Sequence, residues 1–192
     1  MTASESTIEN PVTGERIVIH RSANETGGAL LAWELVLAPG GRVPSSHAHP
    51  EQEERFTVVE GRLNLRIGSR PVIARPGQTV AVPPGTVHSF ANVTSEPVRV
   101  LVETRPALAM EELLATAAAM AQQQRSAARL LPNPLYLALF MREFHREVRA
   151  PYLPAPLIRL VTASVATLAR WCGLDAGYRA LRARCGRLGA DA

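Results

Sequence analysis

The chain contains no lysine, so its 21 basic residues are all arginine. Covalent catalysis through a lysine Schiff base is thereby excluded, and no serine sits in a nucleophile elbow that would support a serine triad. Arginine without lysine, together with abundant alanine, reads as the base composition of a GC-rich bacterial genome. Cysteine is also scarce. Cys172 and Cys185 are the only two, too few for a disulfide framework, and they are expected as packed thiols in a reducing compartment. The start, MTASESTIENPVTGERIVI, lacks a basic region followed by an apolar stretch, and no apolar run approaches the roughly 18 to 20 residues of a spanning helix. A cytoplasmic protein without a transmembrane segment is expected. Internal repeats and low-complexity linkers are absent too.

What remains is globular: 192 residues, 46% apolar and 20% charged, with 13 Gly and 15 Pro to punctuate short elements. Charge is unevenly placed. Residues 1–105 carry 10 Arg against 11 Glu, and residues 106–192 carry 11 Arg against 6 acids. No basic run or nucleic-acid motif accompanies these arginines, so they read as solvated helix faces and no nucleic-acid partner is expected.

From Ile17 to Thr104 short alternating runs such as RIVIH, LLAWELVLA, RFTVVEG, LNLRI, TVAVP and VRVLVET are separated by turn chemistry such as APGGR, RPGQ and PPGT. Many short strands joined by Gly/Pro turns predict a sandwich or small barrel. Beyond Arg105 the spacing becomes helical. Helices are predicted over residues 107–131, 134–150, 156–173 and, capped by Asp175, 176–185. The third is apolar around most of its circumference, so it should be buried against the barrel, a neighbouring helix or a second subunit; a membrane-surface role for its Arg, Leu and Trp171 is the weaker alternative. A homodimer is therefore expected.

His47 and His49 stand at i and i+2, which places both on one face of an extended strand. Glu53 or Glu54 follows closely, and His88 starts another strand after a proline-glycine turn. Three imidazoles and a carboxylate suit one divalent transition metal ion, Fe(II), Mn, Co, Ni, Cu or Zn. The plain alternative for any one of these histidines is a hydrogen-bonded strand end.

The joint spacing resembles the two motifs of the cupin superfamily. The first is matched by Gly41, His47, His49, Glu54 and Gly61, and the second by Gly77, Pro83, Gly85, His88 and Asn92, with residues 62–76 between them. The resemblance covers about Gly28 to Pro106. It implies a mainly β fold, a small antiparallel jelly-roll barrel with His47, His49, Glu54 and His88 on one metal at its mouth. It leaves residues 106–192 as an α-helical extension packed on the barrel or at a dimer interface. By the same likeness Glu54 takes the ligand role, and Glu51 and Glu53 become exposed residues or partners of an imidazole N–H. Asn92 reads as structural. Trp33, Phe56 and Phe90 are candidates for the barrel interior, as core or as substrate wall.

Two functions follow as expectations. One is a metal-dependent enzyme on a small, largely apolar molecule, dioxygenase-like or an isomerase, lyase or cyclase; the other is a non-catalytic binding or sensor protein. Tyr136, Tyr152, Tyr178 and His145 could serve a barrel site only if the helices folded over its mouth.

Overall fold

The computed structural model describes residues 7–43, 45–126, 133–151 and 154–188. Nine strands come first: β1 (Thr7–Asn10), β2 (Glu15–Arg21), β3 (Leu31–Leu37), β4 (Glu53–Glu60), β5 (Leu63–Ile67), β6 (Arg70–Ala74), β7 (Thr79–Val82), β8 (His88–Ala91) and β9 (Val98–Arg105). They pair antiparallel into two sheets, one ordered β1-β2-β3-β9-β4-β7 and the other β6-β5-β8, the two layers of a jelly roll.

Period-two alternation sets which side chains enter the core. On β9, Val98, Val100, Val102 and Thr104 are buried while the residues between them face outward. On β3 the inward set is Leu31, Trp33, Leu35 and Leu37. On β4 it is Glu54, Phe56 and Val58. A carboxylate thus shares the inward face of a strand with two core residues, and its neighbour Glu53 necessarily points the other way.

Two strands were not legible as such. β1 is short and half exposed, and β6 contains Pro71, which argues against a strand. β6 lies at the sheet edge, paired only with β5, where a missing N–H costs no ladder bond. Two glycines show why the turns close. Gly61 has φ 80°, and a Cβ there would meet the Pro97 carbonyl at 3.0 Å. At Gly41 the constraint is space alone, since a Cβ would lie 2.8 Å from both the Ala38 carbonyl oxygen and Leu37.

Four helices follow, α1 (Met110–Ser126), α2 (Pro134–Glu143), α3 (Ala155–Trp171) and α4 (Ala176–Leu188). Asn133 caps α2 by accepting from the Leu135 N–H at 3.0 Å. The prediction for residues 127–131 lies outside the described residues. α2 ends seven residues before its expected limit at Ala150. Its helical spacing continues through FHREVRA, but tertiary contacts take over: Phe144 is buried, and Ala48 and Arg149 exchange N–H···O bonds at 3.0 and 2.8 Å.

Arg182 of α4 ties the helices together, reaching Glu143 at 2.8 Å and Glu112 at 2.6 Å with its guanidinium carbon 5.0 Å from the Phe144 ring centre. Tyr178 donates to Glu143 at 2.7 Å. Burial and that acceptor push its hydroxyl pKa upward, so it is a structural donor. The apolar circumference of α3 is only partly covered. Thr162, Ala166 and Ala169 are buried, whereas Leu160, Leu168 and Trp171 remain 65%, 63% and 91% exposed. Among the described residues no single helix is long and apolar enough to cross a membrane.

Candidate metal centre

His47 and His88 are brought together by their own backbones. Each donates its N–H to the other's carbonyl, at 3.0 and 2.8 Å, which sets the imidazole centres 4.5 Å apart. The Gly85 N–H holds the His49 carbonyl at 2.7 Å, so the proline-glycine turn before His88 also fixes the segment carrying His49, which is held by isolated bridges rather than in the expected strand. Glu54 enters from β4. One ligating atom from each of His47, His49, Glu54 and His88 lies within 4.8 Å of all the others, and all but His47 are buried. The four residues expected from the spacing are the four that converge.

Hydrogen bonds determine which nitrogen each imidazole presents. His47 Nδ1 faces the Ser45 carbonyl at 3.1 Å, His88 Nδ1 the Thr86 carbonyl at 3.1 Å, and His49 Nδ1 the Glu147 carbonyl at 2.5 Å. A carbonyl only accepts, so each Nδ1 carries the proton and each neutral ring turns the Nε2 lone pair toward the cluster. There it meets a carboxylate. Glu54 Oε2 is 3.1 Å from His88 Nε2 and 3.3 Å from His49 Nε2, and His49 Nε2 is buried with no hydrogen-bond partner. Lone pairs facing a buried carboxylate repel unless a positive charge stands among them. This donor set therefore fits a divalent transition metal ion.

Burial would raise the Glu54 pKa, but His49 and then His88 outweigh it and hold the carboxyl well below the usual carboxylate range. Burial, reinforced by His88 and His49, lowers His47 to about 4. Burial also acts to lower His49, yet the negative charge of Glu54 prevails and its pKa is raised.

The other candidates fall elsewhere. Glu53 accepts from Arg55 at 2.6 Å and Glu51 from Arg146 at 2.6 Å. Neither reaches an imidazole, whose N–H partners are main-chain carbonyls instead. Phe56 packs edge-on to His88 with centres 6.2 Å apart, and Phe90 lies 5.6 Å from Phe56, so Phe56 walls the cluster with Phe90 behind it. Trp33 is buried in the core. Asn92 is structural as expected, its amide donating to the Leu37, Ala38 and Glu96 carbonyls. His145 is exposed, and Tyr136 packs edge-to-face on Tyr178 within the helices with ring centres 5.6 Å apart. Tyr152 lies outside the described residues. The participant missed in the sequence is Glu147, whose carbonyl orients His49 across 98 positions; a main-chain acceptor leaves no residue-type signal.

Comparison with known proteins places the centre in context. Residues 33–103 match the family model described as Cupin domain. Polyketide synthase CurC of Streptomyces cyaneus is 35% identical over 71 residues, which are 37% of this chain and 46% of that protein. Oxidoreductase OpS7 of Beauveria bassiana is 38% identical over 50 residues, 26% of this chain and 16% of that one. The match spans less than half the length of either relative. Among solved structures, a sugar phosphate isomerase from a cupin superfamily, from Silicibacter pomeroyi, is 28% identical with a TM-score of 0.43, covering 48% of this chain and 59% of that one.

Proposed function

Residues 33–103 belong to the cupin family, and from that premise we propose that the protein is a metal-dependent enzyme acting on a small, largely apolar molecule. The observation that carries this reading is the convergence of three imidazoles and the buried Glu54 carboxylate, one ligating atom of each within 4.8 Å of all the others. His47, His49, Glu54 and His88 would hold the ion. A bound ion with open positions supplies Lewis acidity toward a carbonyl or water, or dioxygen activation if it is redox-active.

The chain's own residues supply the rest. The Ser45, Thr86 and Glu147 carbonyls keep the Nδ1 protons in place and the Nε2 edges inward. Phe56, with Phe90 behind it, gives His88 an apolar neighbour and favours an apolar substrate over a charged one. Likeness to a protein named an oxidoreductase supports a dioxygenase-like activity first, with metal-assisted isomerisation, lysis or cyclisation behind it.

The test is metal analysis followed by oxygen uptake with Fe(II) across a panel of phenols and diketones. Oxygen consumption that depends on both metal and one of these compounds is expected. Metal binding with no turnover on any of them would instead favour a sensor. The same reading includes a homodimer, because Leu157, Leu160, Val161, Leu168 and Trp171 form one exposed apolar face of α3. Light scattering should give twice the 20.7 kDa chain mass; the monomer mass at micromolar concentration would rule the dimer out.

A further inference from the structure

The segment that orients His49 also walls a cavity whose lining contains none of the cluster's side chains, although Pro50, next to His49 in the chain, borders it. About 320 Å³ lies between α2, the 144–150 segment and α3, and none of His47, His49, Glu54 or His88 lines it. Its charged lining has one sign. Arg142, Arg149 and Arg159 contribute guanidinium groups and His145 an imidazole, with no carboxylate among the lining residues.

The acids close by in sequence are engaged elsewhere. Glu51 pairs with Arg146 at 2.6 Å, and Glu143 takes Tyr178 at 2.7 Å and Arg182 at 2.8 Å. Glu147 turns its carboxylate to the Ala109 N–H at 3.2 Å. Arg142 spends one N–H on the Ala163 carbonyl at 3.2 Å, which fixes its guanidinium at the cavity edge and leaves other donors unused. Among the described residues Arg142, Arg149 and Arg159 have no ion-pair partner, although every other arginine close to this segment has one.

The remaining walls are mostly apolar, Pro50, Met141, Val148, Ile158 and Ala163, and the one further polar residue, Thr162, spends its hydroxyl on the Ile158 carbonyl at 2.8 Å. An inorganic anion would satisfy the guanidinium groups and leave these walls wet, and a neutral oil would do the reverse. The volume falls at the small end of small-molecule sites, roughly 300 to 1,000 Å³. We propose that this cavity binds an organic carboxylate with an aliphatic body, its head held by Arg149 and Arg159 and its tail along Met141, Val148 and Ile158. Planar guanidinium forks match a carboxylate in two-point geometry, which a hydroxyl head cannot reproduce. This site is independent of the metal reading, since it shares no side chain with the cluster.

The test is calorimetric titration of the full-length, metal-loaded protein with octanoate and with 1-octanol. One octanoate per chain is expected, with 1-octanol weaker by about tenfold or more, the worth of a charge-assisted pair. The double variant Arg149→Gln/Arg159→Gln should weaken octanoate by a similar factor and leave 1-octanol unchanged. Arg159→Glu, at an exposed position, should act in the same direction. Because carboxylates also ligate metals, His88→Ala serves as the control, and octanoate should still bind it. Equal affinity for the two compounds, no saturable binding, or octanoate binding that survives both arginine variants and disappears in His88→Ala would each overturn the proposal.

Discussion

Two of the three imidazoles are oriented by the barrel, and the third by the helical half. His47 and His88 each use a carbonyl two residues earlier in the chain, those of Ser45 and Thr86. His49 uses Glu147, which follows α2. A carbonyl two residues away comes with the local turn and needs nothing else. The Glu147 carbonyl is in place only while residues 144–149 stay docked, through buried Phe144 and the paired Ala48 and Arg149 backbones. The barrel supplies all four ligands, yet the geometry of one depends on a region outside the family match. Removing ligands should therefore damage metal binding outright, whereas loosening the helical half should damage it by degrees.

The largest effect is expected from His88→Ala. It removes a ligand and leaves the buried Glu54 carboxylate short of a partner, so the affinity for metal should fall by more than about a hundredfold, beyond the usual effect of a supporting residue, as measured by chelator competition. Phe144→Ala comes next. Truncating a fully buried aromatic ring costs about 3 to 5 kcal/mol, and urea denaturation should show one transition at lower midpoint if the two halves unfold together. A separate early transition of the helices alone would break the coupling between the regions.

Val148→Pro sharpens the comparison further. Proline removes the N–H that donates to the Phe144 carbonyl at 2.9 Å and restricts the backbone of Glu147, so its carbonyl is re-aimed. Metal affinity should fall by about 10- to 100-fold with all four ligands intact. Unchanged affinity would mean that the barrel alone orients His49. The smallest effect is expected from Glu51→Ala, which deletes an exposed ion pair with Arg146. Melting temperature and metal content should both match the parent protein.

The metal cluster was legible because its signal lies in residue type and spacing. Period two puts His47 and His49 on one face, the likeness to the cupin motif singles out Glu54 over Glu53, and glycine positions mark the turns. The orienting carbonyls carry no such signal, and that is why the sequence leaves Glu51 and Glu53 as either exposed residues or imidazole partners, whereas they pair with Arg146 and Arg55. The helical half was legible in its elements and less so in its ends. FHREVRA keeps the spacing of a helix, and only the barrel surface at Ala48 pulls it out of one. The burial expected for α3 is met on the side facing α2 and unmet along Leu160, Leu168 and Trp171, because periodicity tells which face is apolar and not what covers it.

The most direct test of the centre is metal content by mass spectrometry in protein purified without added metal, for the parent and for two variants of adjacent carboxylates, Glu53→Ala and Glu54→Ala. One equivalent of a divalent transition metal is expected in the parent and in Glu53→Ala, and none in Glu54→Ala, whose carboxylate alone faces the imidazoles. Metal retained by Glu54→Ala and lost from Glu53→Ala, or a parent protein that takes up no metal at all, would contradict it.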